Sequence, residues 1–562
     1  MIGVSSAAVT TAPAQRSPNP WLILTLVCIP VFIGSLDLTI VSAFLPEIIV
    51  RLELPITDVI DDAAWIVTGY LLAYTVSMTF MGRLSDLIGR RRTYFACLII
   101  FMIGSLIVAE VDVQAQSGLA GLLYNLIYRF SGQRPDPGSV ALMVIIIGRV
   151  VQALGAGALV PVSLALAGDL FPPEKRAQPL GIIGAVDTLG WVLGHLYGGI
   201  MVRFFAVNAA GFSDFFASIG LNWDAPDWRA LFWINIPITL VAIVITAWAL
   251  RGVKQERAKG RFDFAGAALI TGALICLVLG LGANIEIAAS ASSFEDVGGF
   301  PPYAAPLLLL SAAMFAGFLF VEWKFPDPLF DLRALARRGI AMGSLVNLAV
   351  GFCLMIGLVS VPILVNIRAA DMTNLSAAAL EVGILLSALT IPMALAAIPG
   401  GWLANKIGYR WSTMLGLGIA LVGFLLIWQT WTLDIPNSLV ALEMALVGVG
   451  LGLTFSPISA AVLNAADADR LGTFSALVII MRLLGMTISV SLMTALASQR
   501  LATLASAALG DPSVDPYAAI DVYSRLTVQV LGEISLAGAI ICLLALLPAY
   551  LISHSRTKGT AQ

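Results

Sequence analysis

The sequence predicts an all-α integral membrane protein of fourteen transmembrane helices, built as two six-helix bundles with a two-helix linker insert. Three observations predict it. Of 562 residues, 59 % are hydrophobic and only 12 % charged, whereas an ordinary soluble domain carries roughly 25 % charged residues. Such a chain could not cover its own surface with polar groups, which excludes a water-soluble enzyme and equally excludes disorder. Second, fourteen mostly apolar stretches approach the roughly 20 residues that a spanning helix needs. Third, Lys and Arg sort by side. With the N-terminus placed inside, connecting segments on that side hold twenty-one and those on the other side eight, with Arg149 and Arg482 left within spans. The positive-inside rule then puts both termini in the cytoplasm of an inner (plasma) membrane, and a miscounted helix would have inverted the bias downstream.

The N-terminal stretches are 22–46, 62–81, 93–110, 140–167, 178–202 and 230–250. The first follows a segment with one basic residue, Arg16, and no separate apolar core, so it is expected to act as its own insertion signal. The next pair, 263–283 and 303–323, is diluted by Gly and Ala, and Asp263 is placed to cap the first of the two. The last six are 339–365, 378–400, 411–431, 438–463, 473–498 and 526–552. The corresponding division is 1–255, 256–334 and 335–562. Segments 111–139, 203–229, 284–302 and 500–525 fall outside and exceed what connectivity needs; within them Leu119 to Phe130 reads as a short helix lying at the outer interface.

Charges inside the spans each need a reason, because one at the bilayer centre costs about 2.5–3.5 kcal/mol on insertion scales. Asp37 is too short to snorkel from span one, and a proton carrier competes with a structural ion pair there. Arg149 in span four either tunes a nearby acid or tethers helices through its five donors. Asp187 in span five and Arg482 in span thirteen occupy equivalent places in the two halves; equivalence gives matching depth and does not itself imply contact. Each could face a central cavity or settle against a bundle neighbour. His195, the only histidine within a span, is a proton relay or a structural hydrogen-bonding group. Glu443 early in span twelve is either a cavity carboxylate or a snorkelling interface acid.

The loop after span two reads Gly82-Arg83-Leu84-Ser85-Asp86-Leu87-Ile88-Gly89-Arg90-Arg91-Arg92. Its small residues permit close helix approach, and Asp86 can receive helix N-terminal N–H groups or a basic partner. A degenerate copy follows span ten, Gly401-Trp402-Leu403-Ala404-Asn405-Lys406-Ile407-Gly408-Tyr409-Arg410, with Asn405 in the place of Asp86. Two copies at equivalent points argue for two related halves. The loop resembles the signature between the second and third helices of the major facilitator superfamily, with Leu87 at a commonly basic position. Gly148-Arg149-Val150-Val151-Gln152-Ala153-Leu154-Gly155 resembles its fourth-helix motif, with Ala153 for a usual Gly. Leu36 to Val41, Ala64 to Leu72, Phe232 to Pro237 and Arg261 to Gly266 look like the fourteen-helix drug:proton antiporter branch of that superfamily.

The resemblance implies proton-coupled transport by alternating access, with Asp37, Arg149, Asp187, His195, Glu443 and Arg482 as coupling or cavity residues. Gly82, Asp86, Gly89, Arg90 and Arg91 would form a cytoplasmic gating loop. In span five, Gly190, Gly194, Gly198 and Gly199 follow the glycine spacing of the antiporter signature and would serve helix packing. His195 stands where that signature has Pro, so a specific kink, and antiport with it, is less assured. The expected substrate is a small hydrophobic, amphipathic or lipid-like compound, with membrane lipids as the other partner and the chain acting as a monomer. Lipid export, proton symport and a non-transporting scaffold of the same fold are the alternatives. No phosphate loop, strand-linked GxGxxG or HExxH is present, so the sequence points to no enzyme, nucleotide, nucleic acid or metal, and to no cofactor beyond a proton gradient.

Overall fold

The computed structural model describes residues 19–41, 44–52, 56–220, 225–251, 253, 255, 257–282, 293–294, 301–368, 375–509 and 516–552. Fourteen helices among them are long and apolar enough to cross a membrane. The first six spans come from α1 (Pro20–Ile40), α3 (Ile56–Ile88), α4 (Arg90–Ala109), α6 (Pro137–Leu170), α7 (Ala177–Val207) and α9 (Arg229–Ala249). A pair follows, α10 (Phe264–Leu281) and α11 (Ala304–Lys324). The short α12 (Leu332–Leu335) leads into the last six: α13 (Arg338–Arg368), α14 (Leu375–Ile407), α15 (Tyr409–Thr430), α16 (Asn437–Ala465), α17 (Leu471–Leu509) and α18 (Pro516–Leu551).

The first expected span is corrected. Instead of running to Pro46, α1 ends at Ile40, and a separate helix α2 (Leu45–Arg51) starts with Pro46 in its first turn. Proline is suited to that position, since it has no N–H to leave unpaired and its φ is preset. Two of the outside segments contain helix. The 203–229 stretch contains α8 (Ala209–Ser218), whose Phe212 meets Phe204 and Phe205 edge-on and stacks with Phe216, at centroid distances of 5.9 to 6.4 Å. Much of 500–525 is helical extension of α17 and α18, braced by Arg500 Nε on Glu533 Oε2 at 2.8 Å.

Leu119 to Phe130 does form a helix, α5 (Gly118–Ser131). Its entry is fixed by Asp112, whose carboxylate accepts from Gln114 N, Gln116 N, Ser117 N and Ser117 Oγ at 2.7 to 3.1 Å. Partial burial pushes the Asp112 carboxyl up, but the Ser117 hydroxyl and the three N–H groups outweigh it and hold the group below the usual carboxylate range. Ala120 and Gly121 turn inward while Leu119, Leu122, Leu126 and Phe130 stay exposed.

The α10–α11 pair packs on itself through Ser311 Oγ to Ala273 O at 2.8 Å. Asp263 caps α10 as its sequence position suggested, accepting from Gly266 N at 2.9 Å. Glu322 is buried because both its oxygens receive backbone donors, Leu329 N and Phe330 N, at 3.2 and 3.1 Å. Phe80 of α3 and Leu477 of α17 pack against this pair's apolar cluster, so the pair lies along the junction of the two halves.

A candidate transport site with two ion pairs

Span one and span four place Asp37 and Arg149 in one sealed cluster. Asp37 is 1 % exposed and Arg149 0 %. Arg149 Nη1 donates to Asp37 Oδ2 at 2.5 Å, and Arg149 Nη2 to Asp37 O at 3.1 Å. Gln152 Nε2 and Asn235 Nδ2 donate to Asp37 Oδ1 at 3.0 and 2.8 Å. The guanidinium lies 3.8 Å from the Tyr70 ring centroid, and Gln152 Oε1 accepts from Nη1 at 2.7 Å. Burial of an ion pair is tolerable only when most of the remaining lone pairs and protons are satisfied; here three helices supply the partners, and Arg149 Nε alone of the pair's polar atoms has none. Sequence reasoning singled out Asp37 and Arg149 but gave no role to Gln152, Asn235 or Tyr70. The cost of a polar side chain within a span, applied to amides as to charges, would have flagged the first two.

The second pair crosses the halves. Arg482 Nη2 of α17 sits 3.3 Å from Asp187 Oδ2 of α7, each side chain 16 % exposed. Ser35 Oγ donates to Asp187 Oδ1 at 2.6 Å, and the Arg482 guanidinium lies 4.7 Å from the Phe455 centroid. Their equivalent depth, which alone did not require contact, is realised as a direct bond. Partial exposure separates this pair from the sealed one.

Glu443 is neither of the expected things. At 1 % exposure it accepts from Thr430 Oγ1 and Trp431 Nε1 at 2.7 and 2.9 Å, tying α16 to the end of α15 within the last six helices. The glycines of span five divide. A Cβ on Gly190 would meet Phe32 O and Ser35 Cβ, and one on Gly194 would meet Leu36 O, so both serve the α1–α7 contact. Gly198 is buried, but Gly199 is exposed and a Cβ there would touch nothing within 4 Å, which removes it from the packing set. His195 lies within α7, and its side chain falls outside the described residues.

At the face bearing the Arg-rich loop the halves are closed. Asp86, 0 % exposed, accepts from Gly472 N, Thr473 N and Thr473 Oγ1 at 2.8 to 2.9 Å, so it caps the start of α17 from the other half. Arg90 Nη1 reaches Asp86 Oδ1 at 2.5 Å, and Arg90 Nε reaches Asp169 Oδ2 at 3.1 Å. Gly89 makes the turn at φ +105°, and a Cβ on Gly82 would strike the carbonyl of Gly472. Arg91 departs from the expected set: it is exposed and lies 5.7 Å from the Phe95 centroid rather than joining the contacts between halves. A partner that sequence reasoning missed is Gln255, which accepts from Arg90 N at 2.7 Å and donates to Ser85 O at 3.1 Å. The second loop repeats the backbone and not the charge. Gly408 turns at φ +88° and Gly401 packs on Ala177 and Gln178 at the start of α7, while Asn405 is exposed.

These glycine seams give a test. Gly82→Val and Gly401→Val each place branched carbons against backbone on the opposite half, so both are expected to open this face. A cysteine placed at Ser456, which is buried beneath it, should then react with a thiol reagent that leaves it untouched in the parent protein. Unchanged protection would show that the seams do not hold the face shut.

Two groups of six spans with ion pairs within one half and across the two define the class: a multi-pass membrane transport protein. The chain belongs to the Major Facilitator Superfamily, whose family model matches residues 27–370 and 348–510. It is 30 % identical over 550 residues to a triacylglyceride transporter of Mycolicibacterium smegmatis, covering 93 % of this chain and 86 % of that one. It is 31 % identical over 542 residues to the triacylglyceride transporter of Mycobacterium tuberculosis, covering 93 % and 92 %. Among solved structures, the proton:xylose symporter XylE aligns with TM-score 0.54 at 12 % identity, covering 93 % of this chain and 94 % of that one. The human organic anion transporter MFSD10 aligns at 0.53 and 14 %, covering 93 % and 100 %. At such identities the structural matches establish the fold alone.

Proposed function

We propose that this protein is a secondary transporter that exports a neutral, acyl-bearing lipid of the triacylglyceride class across the inner membrane, driven by protons. The observation that carries the substrate class is near-full-length similarity to two proteins of that name. Lipid export thus moves ahead of the broader drug-export reading that the fourteen-helix antiporter motifs suggested. Coupling is assigned to Asp37, with Arg149 as the fixed charge that the carboxylate answers to; no cofactor is required.

In this reading the Arg-rich face is cytoplasmic, as the Lys and Arg bias indicates, and both termini lie there. Residues 1–255 and 335–562 rock about the Asp187–Arg482 level as a monomer, with 256–334 as the linker pair. A scaffold would have little use for two costly ion pairs at mid-bundle.

The test is a reconstituted one. Proteoliposomes with an imposed pH gradient are loaded with a fluorescent triacylglyceride, and separately with a panel of amphipathic drugs. Lipid driven against the direction of proton flow supports the proposal; drug movement without lipid movement favours the drug-exporter branch, and lipid driven in the same direction as the protons favours symport. His195→Gln keeps a hydrogen-bonding side chain and cannot titrate. It is expected to retain most activity and to flatten the pH dependence only slightly. Collapse of coupling at normal expression would place the proton path on α7 rather than α1.

A further inference from the structure

The halves meet a second time at the Arg-rich face, beside the turn at Gly408, and this contact is not made through Asn405. Between α6 and α7, Pro173–Lys175 forms a single 3-10 turn. Two groups of this connection bond to the last six helices. Arg176 Nη1 donates to Asn464 Oδ1 at 3.0 Å. Pro173 O accepts from Asn464 Nδ2 at 2.9 Å and from the Tyr409 hydroxyl at 3.3 Å. Asn464 Nδ2 also donates to the Tyr409 hydroxyl oxygen at 2.8 Å. Arg176 is fixed from behind, because its Nε donates to Phe171 O at 3.0 Å.

The two halves carry these groups at equivalent positions. Arg90 and Tyr409 are each the first residue of a helix that follows a turning glycine, Gly89 and Gly408. Asp169 and Asn464 are each the last but one residue of the next span, α6 and α16. In the first half the two positions are joined by Arg90 Nε and Asp169 Oδ2, and in the second by the Asn464 amide and the Tyr409 hydroxyl. The contact recurs without its charges. An amide and a phenol both donate and accept, so this neutral pair bonds internally and still reaches Pro173 and Arg176 of the opposite half. Asp86, fully buried, receives three donors across its own seam, whereas Asn464 is half-buried and offers a neutral acceptor. Hydrogen bonds with an ionised partner are roughly twice as strong as neutral ones, and only one of the three bonds that cross at Asn464 and Tyr409 has such a partner, Arg176.

We propose that Arg176, Tyr409 and Asn464 form a second latch between the halves, one that contains no ion pair and is the weaker of the two. Asn464 is its centre, since it bonds to both of the others and to Pro173. The proposal concerns how this face is held shut and is independent of which cargo is carried.

It is tested by thiol labelling of the full chain in proteoliposomes with no substrate added, so a failure of lipid transport leaves the test intact. The reporter is Ser456→Cys, buried on α16 about two turns, or about 12 Å, before Asn464. Asn464→Ala should raise labelling about five-fold, the equivalent of one neutral hydrogen bond, which is less than the rise expected for Asp86→Ala. Tyr409→Phe and Arg176→Met should act in the same direction, and they keep the test valid if Asn464→Ala does not fold. Asn464→Asp should act in the opposite direction, because it gives Arg176 a carboxylate. In the Asp86→Ala background it should bring labelling back towards the parent level, and high salt should weaken that rescue, since the new pair is only partly buried. Unchanged labelling in Asn464→Ala, Tyr409→Phe and Arg176→Met overturns the latch. An equal rise with Asn464→Ala and Asn464→Asp shows a merely structural amide and overturns the Arg176 contact as the holding element. A larger rise for Asn464→Ala than for Asp86→Ala overturns the ranking of the two latches.

Discussion

Asp37→Asn is expected to abolish proton-driven lipid accumulation and to lower stability as well. From its place in an apolar run alone, a neutral Asn would insert more cheaply than Asp. The structure reverses that expectation for folding, because Asp37 is the acceptor for a guanidinium that is itself fully buried. Breaking such a pair from one side costs about 3–5 kcal/mol, since it strands the partner's charge. The double variant Asp37→Asn/Arg149→Met removes both charges and should recover much of the lost thermal stability while leaving transport uncoupled. Unfolding measured in detergent separates the two effects from proton-coupled flux in vesicles. Full coupled transport by the single Asn variant would overturn the assignment.

Asp86→Ala is expected to act on the distribution between states. The carboxylate accepts from Gly472 N, Thr473 N, Thr473 Oγ1 and Arg90, and the first three are made across the halves. Hydrogen bonds to a charged group are worth about 1.5–3 kcal/mol each, and 1.4 kcal/mol is already tenfold in a population. Arg90 keeps Asp169 and Ser85, so the loop should hold its own shape while its grip on α17 is lost. The expected readout is at least about a tenfold rise in thiol labelling at Ser456→Cys, with turnover reduced more than substrate binding. Unchanged labelling and unchanged turnover would show that Asp86 does not stabilise one state over the other.

The number and order of spans were legible because a bilayer imposes a length on apolar runs, and that length is a local property. The ends were not. α17 and α18 continue well past their apolar runs, where helix formation depends on contacts such as Arg500 with Glu533 rather than on hydropathy. Asp37, Arg149 and Asp86 stood out for what they would cost in lipid or at a helix end, and each proves to be a hub. What Asp187 and Arg482 do was not legible, since nothing local says that two residues 295 apart point at one another. Glu443 misled for the same reason: nothing in its own span points to Trp431 as its partner. Gln255 lies in a connecting segment, where no span length or motif marks it.

The length of α17 has a mechanical consequence. Arg482 sits near one third of the way along a helix that continues to Leu509, so about 40 Å of rod extends past the level where the halves meet. The hydrocarbon region reaches only about 15 Å from its midplane. A rigid rod pivoting near Arg482 therefore displaces its tip nearly three times as far as its crossing of the bilayer surface. With Arg500 bound to Glu533 of α18, the two rods swing as one lever, and small rotations at the ion pair become large excursions beyond the membrane.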